Sequence, residues 1–134
     1  MKIYDFMTTK IEFVDAAGSV YDALEKMVDR RIRSLVVKYS KKDPSYGVIT
    51  ARDIVFKVLA KGKDPKGVRV SEIASKPLVC IEKDTSLNEA AALMERSNIA
   101  RVFVKEGDKV IGVVALLDFM SAALIMRARG DYVS

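Results

Sequence analysis

The stretch Gly47-Val48-Ile49-Thr50-Ala51-Arg52-Asp53 decides the fold of this chain, because it returns as Gly112-Val113-Val114-Ala115-Leu116-Leu117-Asp118. In both copies a run of branched apolar residues, typical of a strand, leads into a stretch with helical periodicity. An acid stands three residues after a position that is threonine in one copy and alanine in the other. We expect the function at this repeated strand-to-helix junction.

The segments on both sides of the junction repeat in the same order. A serine with an acid three residues later, the pattern of a capping box, opens an apolar helical stretch at Ser19 and again at Ser86. The hairpin that follows has a turn two residues shorter in the second copy. Insertions are tolerated at exposed turns, so the pattern indicates an internal duplication. We place the first repeat at residues 1–64 and the second at residues 65–134.

Each repeat is predicted to be a β-α-β-β-α unit of roughly sixty residues, which is too small to cover its own sheet and helices. We therefore expect an α+β fold in which two units pack sheet to sheet about a pseudo-twofold axis. The two strand-to-helix junctions should then lie beside clefts between the repeats.

Composition narrows the classes of function. The chain has 23 Lys and Arg against 18 Asp and Glu, a net charge of +5, which permits an anionic partner without requiring one. It has no histidine, the commonest general base and transition-metal ligand. The single cysteine, Cys80, lies in an apolar run and favours a reducing, cytoplasmic location. We predict no catalytic residue and no metal site.

A membrane span is not expected, although residues 110–126 are mostly apolar. Asp118 lies in the middle of this stretch, where it would cost roughly 2.5 to 3.5 kcal/mol in a bilayer. The chain start also lacks the apolar core of a signal peptide.

The first junction offers groups that suit a ribonucleotide. A helix N-terminus attracts phosphate, Thr50 adds a hydroxyl, Arg52 can grip phosphate oxygens, and Asp53 can accept ribose hydroxyls. A structural explanation stays open, because Thr50 and Asp53 also form a capping box worth about 1 kcal/mol. Capping alone does not explain why Asp118 is kept in a very apolar run where the cap position is alanine, since an isolated carboxylate there is costly.

The repeated unit resembles the cystathionine-β-synthase (CBS) domain, and the tandem resembles a CBS pair, or Bateman module. The resemblance rests on Asp5-Phe6-Met7-Thr8, the helix from Ser19, the hairpin and the junction at residues 47–53. It covers essentially the whole chain. No catalytic, channel or DNA-binding domain is attached, so a stand-alone CBS-pair protein is expected.

The resemblance implies a regulatory sensor, not an enzyme, that binds AMP, ADP, ATP or S-adenosylmethionine in clefts between the repeats. The aspartate of the motif would hold the ribose and the threonine a phosphate. The implied first site comprises Ile49, Thr50, Arg52, Asp53, Ser75, Lys76, Pro77, Leu78, Ala100 and Arg101. The implied second, weaker site comprises Thr9, Lys10, Ile11, Arg33, Ser34 and Asp118. Its Ala115 departs from the family's Thr or Ser, which predicts a weak or empty site, or one suited to a less anionic adenosine ligand.

The resemblance also implies self-association, because CBS pairs commonly assemble into a disc through helices of both repeats. The apolar stretch at residues 119–126 exceeds what a monomer surface tolerates, so we expect a homodimer, with a further protein target left open. The alternative function is a nucleic-acid-associated basic protein without catalytic activity. Its basic patch would be Arg30-Arg31-Ile32-Arg33, but no aromatic residues interleave there, which makes a nucleic-acid partner the weaker hypothesis.

Overall fold

The chain folds into two compact units in the computed structural model, which describes residues 1–130. The first unit comprises Glu12–Leu78, and the second comprises Met1–Ile11 together with the chain from Val79 onward. The first unit therefore contains most of the first sequence repeat together with the segment that opens the second repeat. The second unit contains the rest of the second repeat together with the segment that opens the first. The repeat boundary between residues 64 and 65 stays a prediction, and residues 131–134 of the second repeat lie outside the described residues.

The first unit contains a three-stranded sheet with β2 in its centre. β2 pairs with β1 in parallel and with β3 in antiparallel orientation. Two 3-10 turns, Leu59–Lys61 and Pro65–Gly67, lie between its second and third helices. The elements in chain order are β1 (Phe13–Asp15), α1 (Val20–Arg30), β2 (Ser34–Lys38), β3 (Tyr46–Thr50), α2 (Ala51–Lys57) and α3 (Val70–Ile73).

The second unit repeats this topology, with β5 in the centre of its sheet. A 3-10 turn at Ile3–Asp5 takes the place that α3 has in the first unit. The two sheets with their helices confirm the α+β tandem-repeat fold expected from the sequence. The remaining elements are β4 (Cys80–Glu82), α4 (Leu87–Ser97), β5 (Arg101–Glu106), β6 (Lys109–Ala115) and α5 (Leu116–Ala128).

Serine caps begin the first helix of each unit where the sequence predicts them. The Ser19 hydroxyl accepts the backbone N–H of Asp22 at 3.1 Å, and the Ser86 hydroxyl accepts that of Glu89 at 3.2 Å. Each bond satisfies one of the N–H groups that a helix start leaves without an intrahelical partner.

The central strand of each sheet carries three consecutive buried residues. These are Leu35, Val36 and Val37 in β2, and Val102, Phe103 and Val104 in β5. Because alternate residues of a strand point to opposite faces, both faces of each sheet are covered. On one face of β2 the buried side chains pack against Val20, Ala23 and Met27 of α1, whose spacing is helical.

In each unit a further backbone segment runs along the outer edge of the sheet, beside β3 in the first unit and beside β6 in the second. Ser75 and Val48 exchange two N–H···O bonds of 2.9 Å, and Leu78 donates its N–H to the Tyr46 carbonyl at 2.9 Å. Leu78 therefore belongs to the first unit, and β4 begins two residues later, at Cys80. In the second unit Thr8 and Val113 exchange the equivalent pair of bonds, of 3.0 and 2.9 Å.

Gly47 and Gly112, which open the repeated stretch, leave room for these edge segments. A Cβ on Gly47 would lie 2.7 Å from the Ser75 carbonyl oxygen and 2.8 Å from the Tyr39 hydroxyl oxygen. A Cβ on Gly112 would lie 2.9 Å from the Thr8 carbonyl oxygen. All three distances are shorter than van der Waals contact, so the edge pairing requires glycine in both units.

We predict that Gly47→Ala lowers the free energy of unfolding by about 1 to 3 kcal/mol, because the Ser75 backbone must move away from β3. Urea denaturation followed by circular dichroism measures the change. Gly67→Ala is the matched control, since a Cβ there meets no heavy atom within 4 Å. Equal stability of the two variants would contradict the steric role of Gly47.

Candidate functional site

Thr50 ends β3 and caps α2, and Asp53 stands in the first turn of that helix. The Thr50 hydroxyl oxygen accepts the Asp53 N–H at 3.1 Å. Asp53 Oδ2 accepts the Thr50 N–H at 2.9 Å and its hydroxyl at 3.0 Å. These reciprocal bonds form the capping box that the sequence predicts. The Asp53 side chain is 14% exposed, so it remains partly accessible from solvent.

Lys57, a residue that the sequence analysis missed, fixes the other oxygen of this carboxylate. Its ammonium group lies 3.0 Å from Asp53 Oδ1 and donates to the Ile73 carbonyl at 3.0 Å. Lys57 thereby joins α2 to the end of α3. The acid and the lysine are four residues apart on one helix, a spacing that predicts an ion pair and that could have revealed Lys57.

Arg52 and Ile49, both predicted site residues, have different surroundings. The Arg52 guanidinium lies over the ring of Phe56, 4.7 Å from its centre, and both side chains are exposed. The contact is a cation–π interaction one helical turn along α2. Ile49 is fully buried in the core of the first unit, so its side chain serves packing.

The segment at residues 75–78 is held beside β3 by side chains as well as by its backbone. Lys76 forms an ion pair with Asp43, and its ammonium group lies 4.1 Å from the centre of the Tyr39 ring. Ser75 and Pro77 are exposed, whereas Leu78 is buried. The sequence did not indicate that Tyr39 and Asp43 contact Lys76, because a contact between residues far apart in the chain leaves no periodic pattern.

Asp43 is held ionised by this contact. The hydrogen bond from Lys76, and then that from Ser45, lowers the pKa of the Asp43 carboxyl from 3.8 to about 2. The turn between β2 and β3 is thereby linked to the segment of residues 75–78.

Asp118 opens α5 as Asp53 opens α2. Its Oδ2 accepts the backbone N–H of Ala115 at 2.8 Å, which is the half of the capping box that does not need a side chain at the cap position. The carboxylate that looked isolated in the sequence therefore has a backbone partner.

The residues predicted for each site divide between the units. Eight of the first site lie in the first unit, whereas Ala100 and Arg101 lie in the second unit. Asp118 shares the second unit with Thr9, Lys10 and Ile11, which follow the Thr8 that pairs with β6, while Arg33 and Ser34 lie in the first unit. Assembly of each complete site stays a prediction.

Within residues 1–130 no three side chains of His, Cys, Asp or Glu gather as a metal site requires. No buried side-chain nitrogen or oxygen of the same range lacks a hydrogen-bond partner. No helix there is long and apolar enough to cross a membrane. Burial raises the pKa of the Cys80 thiol, which favours its protonated, unreactive form.

Comparison with protein families decides the identity of the fold. The model of the CBS domain matches residues 3–60 and 70–125. The chain belongs to the CBS domain family. Paired CBS domains generally serve as regulatory modules, and they commonly bind adenosine ligands.

Individual relatives resemble this CBS pair in sequence or in structure. An uncharacterised protein of Methanopyrus kandleri is 38% identical over 96 residues, which cover 71% of this chain and 48% of that protein. The chain thus spans about half the length of that relative. The hexameric CBS-CP12 protein from bloom-forming cyanobacteria is 31% identical, with a TM-score of 0.82 over 90% of this chain and 66% of that one. An uncharacterised conserved protein from Pyrococcus horikoshii is 27% identical, with a TM-score of 0.78 over 91% of each chain.

The lowered pKa of Asp43 predicts a pH-dependent contribution to the stability of this CBS pair. A carboxyl with a lower pKa in the folded than in the unfolded chain stabilises the fold above its unfolded pKa. The contribution is lost as the pH falls from about 4 to about 2. We expect the stability difference between the wild type and Asp43→Asn to shrink from pH 6 to pH 2.5 in urea denaturation.

The control for this prediction removes the partner cation. In a Lys76→Met background, Asp43→Asn should produce a smaller difference at pH 6 and a weaker dependence on pH. A difference that is independent of pH in both backgrounds would contradict the role of the ion pair.

Proposed function

We propose that this CBS pair is a sensor that binds AMP, ADP, ATP or S-adenosylmethionine and responds by a change in its shape or in its partner surface. One observation carries the proposal. The pairing of Ser75 with Val48 holds the segment of residues 75–78 along the same strand that ends at Thr50 and leads into Asp53. Most residues of the implied first site are thus held in one compact unit.

The capping box and a ribose contact are compatible at Asp53. A carboxylate offers about four acceptor positions, and the three bonds from Thr50 and Lys57 leave one of them for a hydroxyl. The Thr50 hydroxyl hydrogen can rotate away from Asp53 and donate to a phosphate oxygen. The structural explanation of the motif therefore does not compete with the functional one.

Cationic side chains complete the proposed first site. Arg52 would swing from the Phe56 ring toward a phosphate, and Arg101 of the second unit would supply a further guanidinium. Arg52 is exposed, so this movement requires only the loss of one exposed cation–π contact, worth about 0.5 to 1 kcal/mol.

The second site is proposed to be the weaker one. Asp118 keeps acceptor positions for a ribose, because the bond from Ala115 occupies one of the roughly four positions that a carboxylate offers. Ala115 itself has no hydroxyl to donate to a phosphate. An adenosine ligand with little negative charge suits this arrangement best.

We further propose that two copies associate through the helices of the CBS pair. α5 exposes Leu117, Met120 and Leu124 to 70%, 64% and 73%. The groove between α4 and α5 has a volume of about 600 Å³ and is lined by the apolar residues Met94 and Phe119 among others. Contiguous apolar surface of this kind marks an interface on soluble proteins.

A panel of AMP, ADP, ATP, S-adenosylmethionine and 2′-deoxy-AMP tests the ligand proposal in a thermal-shift assay. At a concentration about a hundred times the Kd, the ligand should add roughly 2.7 kcal/mol to the free energy of unfolding. We expect Asp53→Ala to lose most of this shift, and 2′-deoxy-AMP to bind more weakly than AMP.

Each variant is compared with its own ligand-free stability, because Asp53→Ala also removes the carboxylate half of the capping box. Asp29→Ala, an exposed acid on α1 of the same unit, is the matched control and should keep the shift. No shift with any ligand, or an undiminished shift in Asp53→Ala, would reject the assigned site.

Light scattering tests the self-association. We expect the wild type to be a dimer or a larger assembly at micromolar concentration, and Leu124→Lys to shift it toward the monomer by placing a charge on the apolar face. Ser40→Lys, which adds the same charge at an exposed position between β2 and β3, should leave the assembly intact. A monomeric wild type would refute the proposal.

A further inference from the structure

The two junction carboxylates have different electrostatic surroundings. Asp53 is neutralised by Lys57, whose ammonium group lies 3.0 Å from Oδ1. The position of α5 that matches Lys57 is Ala122, which is fully buried. The helix starts are alike in geometry, but only the first has a lysine one turn after the acid on the same helix.

This difference matters for any ligand that joins a ribose to a phosphate. A carboxylate that accepts the ribose hydroxyls lies within several ångströms of the phosphate on the same ligand. Their repulsion is only partly screened at a partly buried carboxylate. A cation bound to the carboxylate oxygen that is not used by the capping box offsets this repulsion. That oxygen still has a second lone pair, which can accept a ribose hydroxyl. Uncharged adenosine does not experience the effect.

We propose that Lys57 sets the charge preference of the first site, so that this site takes a phosphorylated adenosine while the Asp118 site takes an uncharged or cationic one. The proposal rests on the adenosine-binding function proposed above and specifies the ligand class of each site. Lys57 is a positioning and charge-compensating residue: its ammonium group holds the carboxylate, and its bond to the Ile73 carbonyl keeps α2 against the end of α3.

Calorimetric titration of AMP and of adenosine, at low ionic strength, tests this role in a protein with one working site. Asp118→Asn is used to weaken the second site, and the ratio of the two dissociation constants is compared with and without Lys57→Met. We expect Lys57→Met to weaken AMP binding about tenfold more than adenosine binding. Lys57→Arg, which retains the charge, should keep the ratio within about twofold of that with lysine.

The ratio separates charge compensation from a purely structural role. Equal weakening of both ligands by Lys57→Met, or an unchanged ratio, would overturn the proposal while leaving the adenosine site in place. Lys57→Gln, which keeps a donor for the Ile73 carbonyl, replaces the methionine variant if that variant does not fold. Failure of both ligands to bind the Asp118→Asn protein with Lys57 intact would instead reject the first site itself, and the charge preference with it.

The Asp118 site is tested in the complementary protein. In Asp53→Asn, S-adenosylmethionine or adenosine should bind more tightly than AMP, and raising the salt concentration should narrow the difference. Tighter binding of AMP than of adenosine in this variant would contradict the assignment of the second site.

Discussion

The pairing of a short leading segment with the edge of β3 or β6 is the constraint on which the rest of the structure depends. Two backbone hydrogen bonds join Ser75 to Val48, and two more join Thr8 to Val113. Each pair is possible only because a glycine stands one residue before the paired strand residue. The segment that opens each sequence repeat thereby belongs to the unit that contains the strands of the other repeat. The candidate site residues on this segment lie beside the strand-to-helix junction for the same reason.

At the junction, one side chain can serve the fold and still keep an oxygen for another partner. A capping aspartate must present one oxygen to the backbone at the start of the helix, which leaves its second oxygen facing outward. At Asp53 that second oxygen accepts from Lys57, whereas the matching position of α5 is Ala122. The backbone requirement therefore fixes where each carboxylate lies, while the neighbouring side chain decides its electrostatic character.

Sequence periodicity was sufficient to predict the elements of this fold but not their grouping into units. The helices at Ser19 and Ser86 begin where the capping pattern places them, because capping is a local interaction. The membership of Leu78 in the first unit depends on a hydrogen bond to Tyr46, far along the chain, and no local pattern records it. The contact of Lys76 with Asp43 is non-local in the same way.

The two copies have diverged where physical constraints are weakest. Gly47 and Gly112 face a backbone on the neighbouring segment, and any side chain would displace it, so both positions have the same residue. Thr50 and Ala115 occupy the same cap position, which tolerates the loss of one hydrogen bond at a cost of about 1 kcal/mol. The turn with Asp43 is two residues longer than its counterpart and lies at the surface, where an insertion disturbs no packed element. A duplicated scaffold can therefore keep one geometry at two helix starts while the side chain one turn later differs, as Lys57 and Ala122 do.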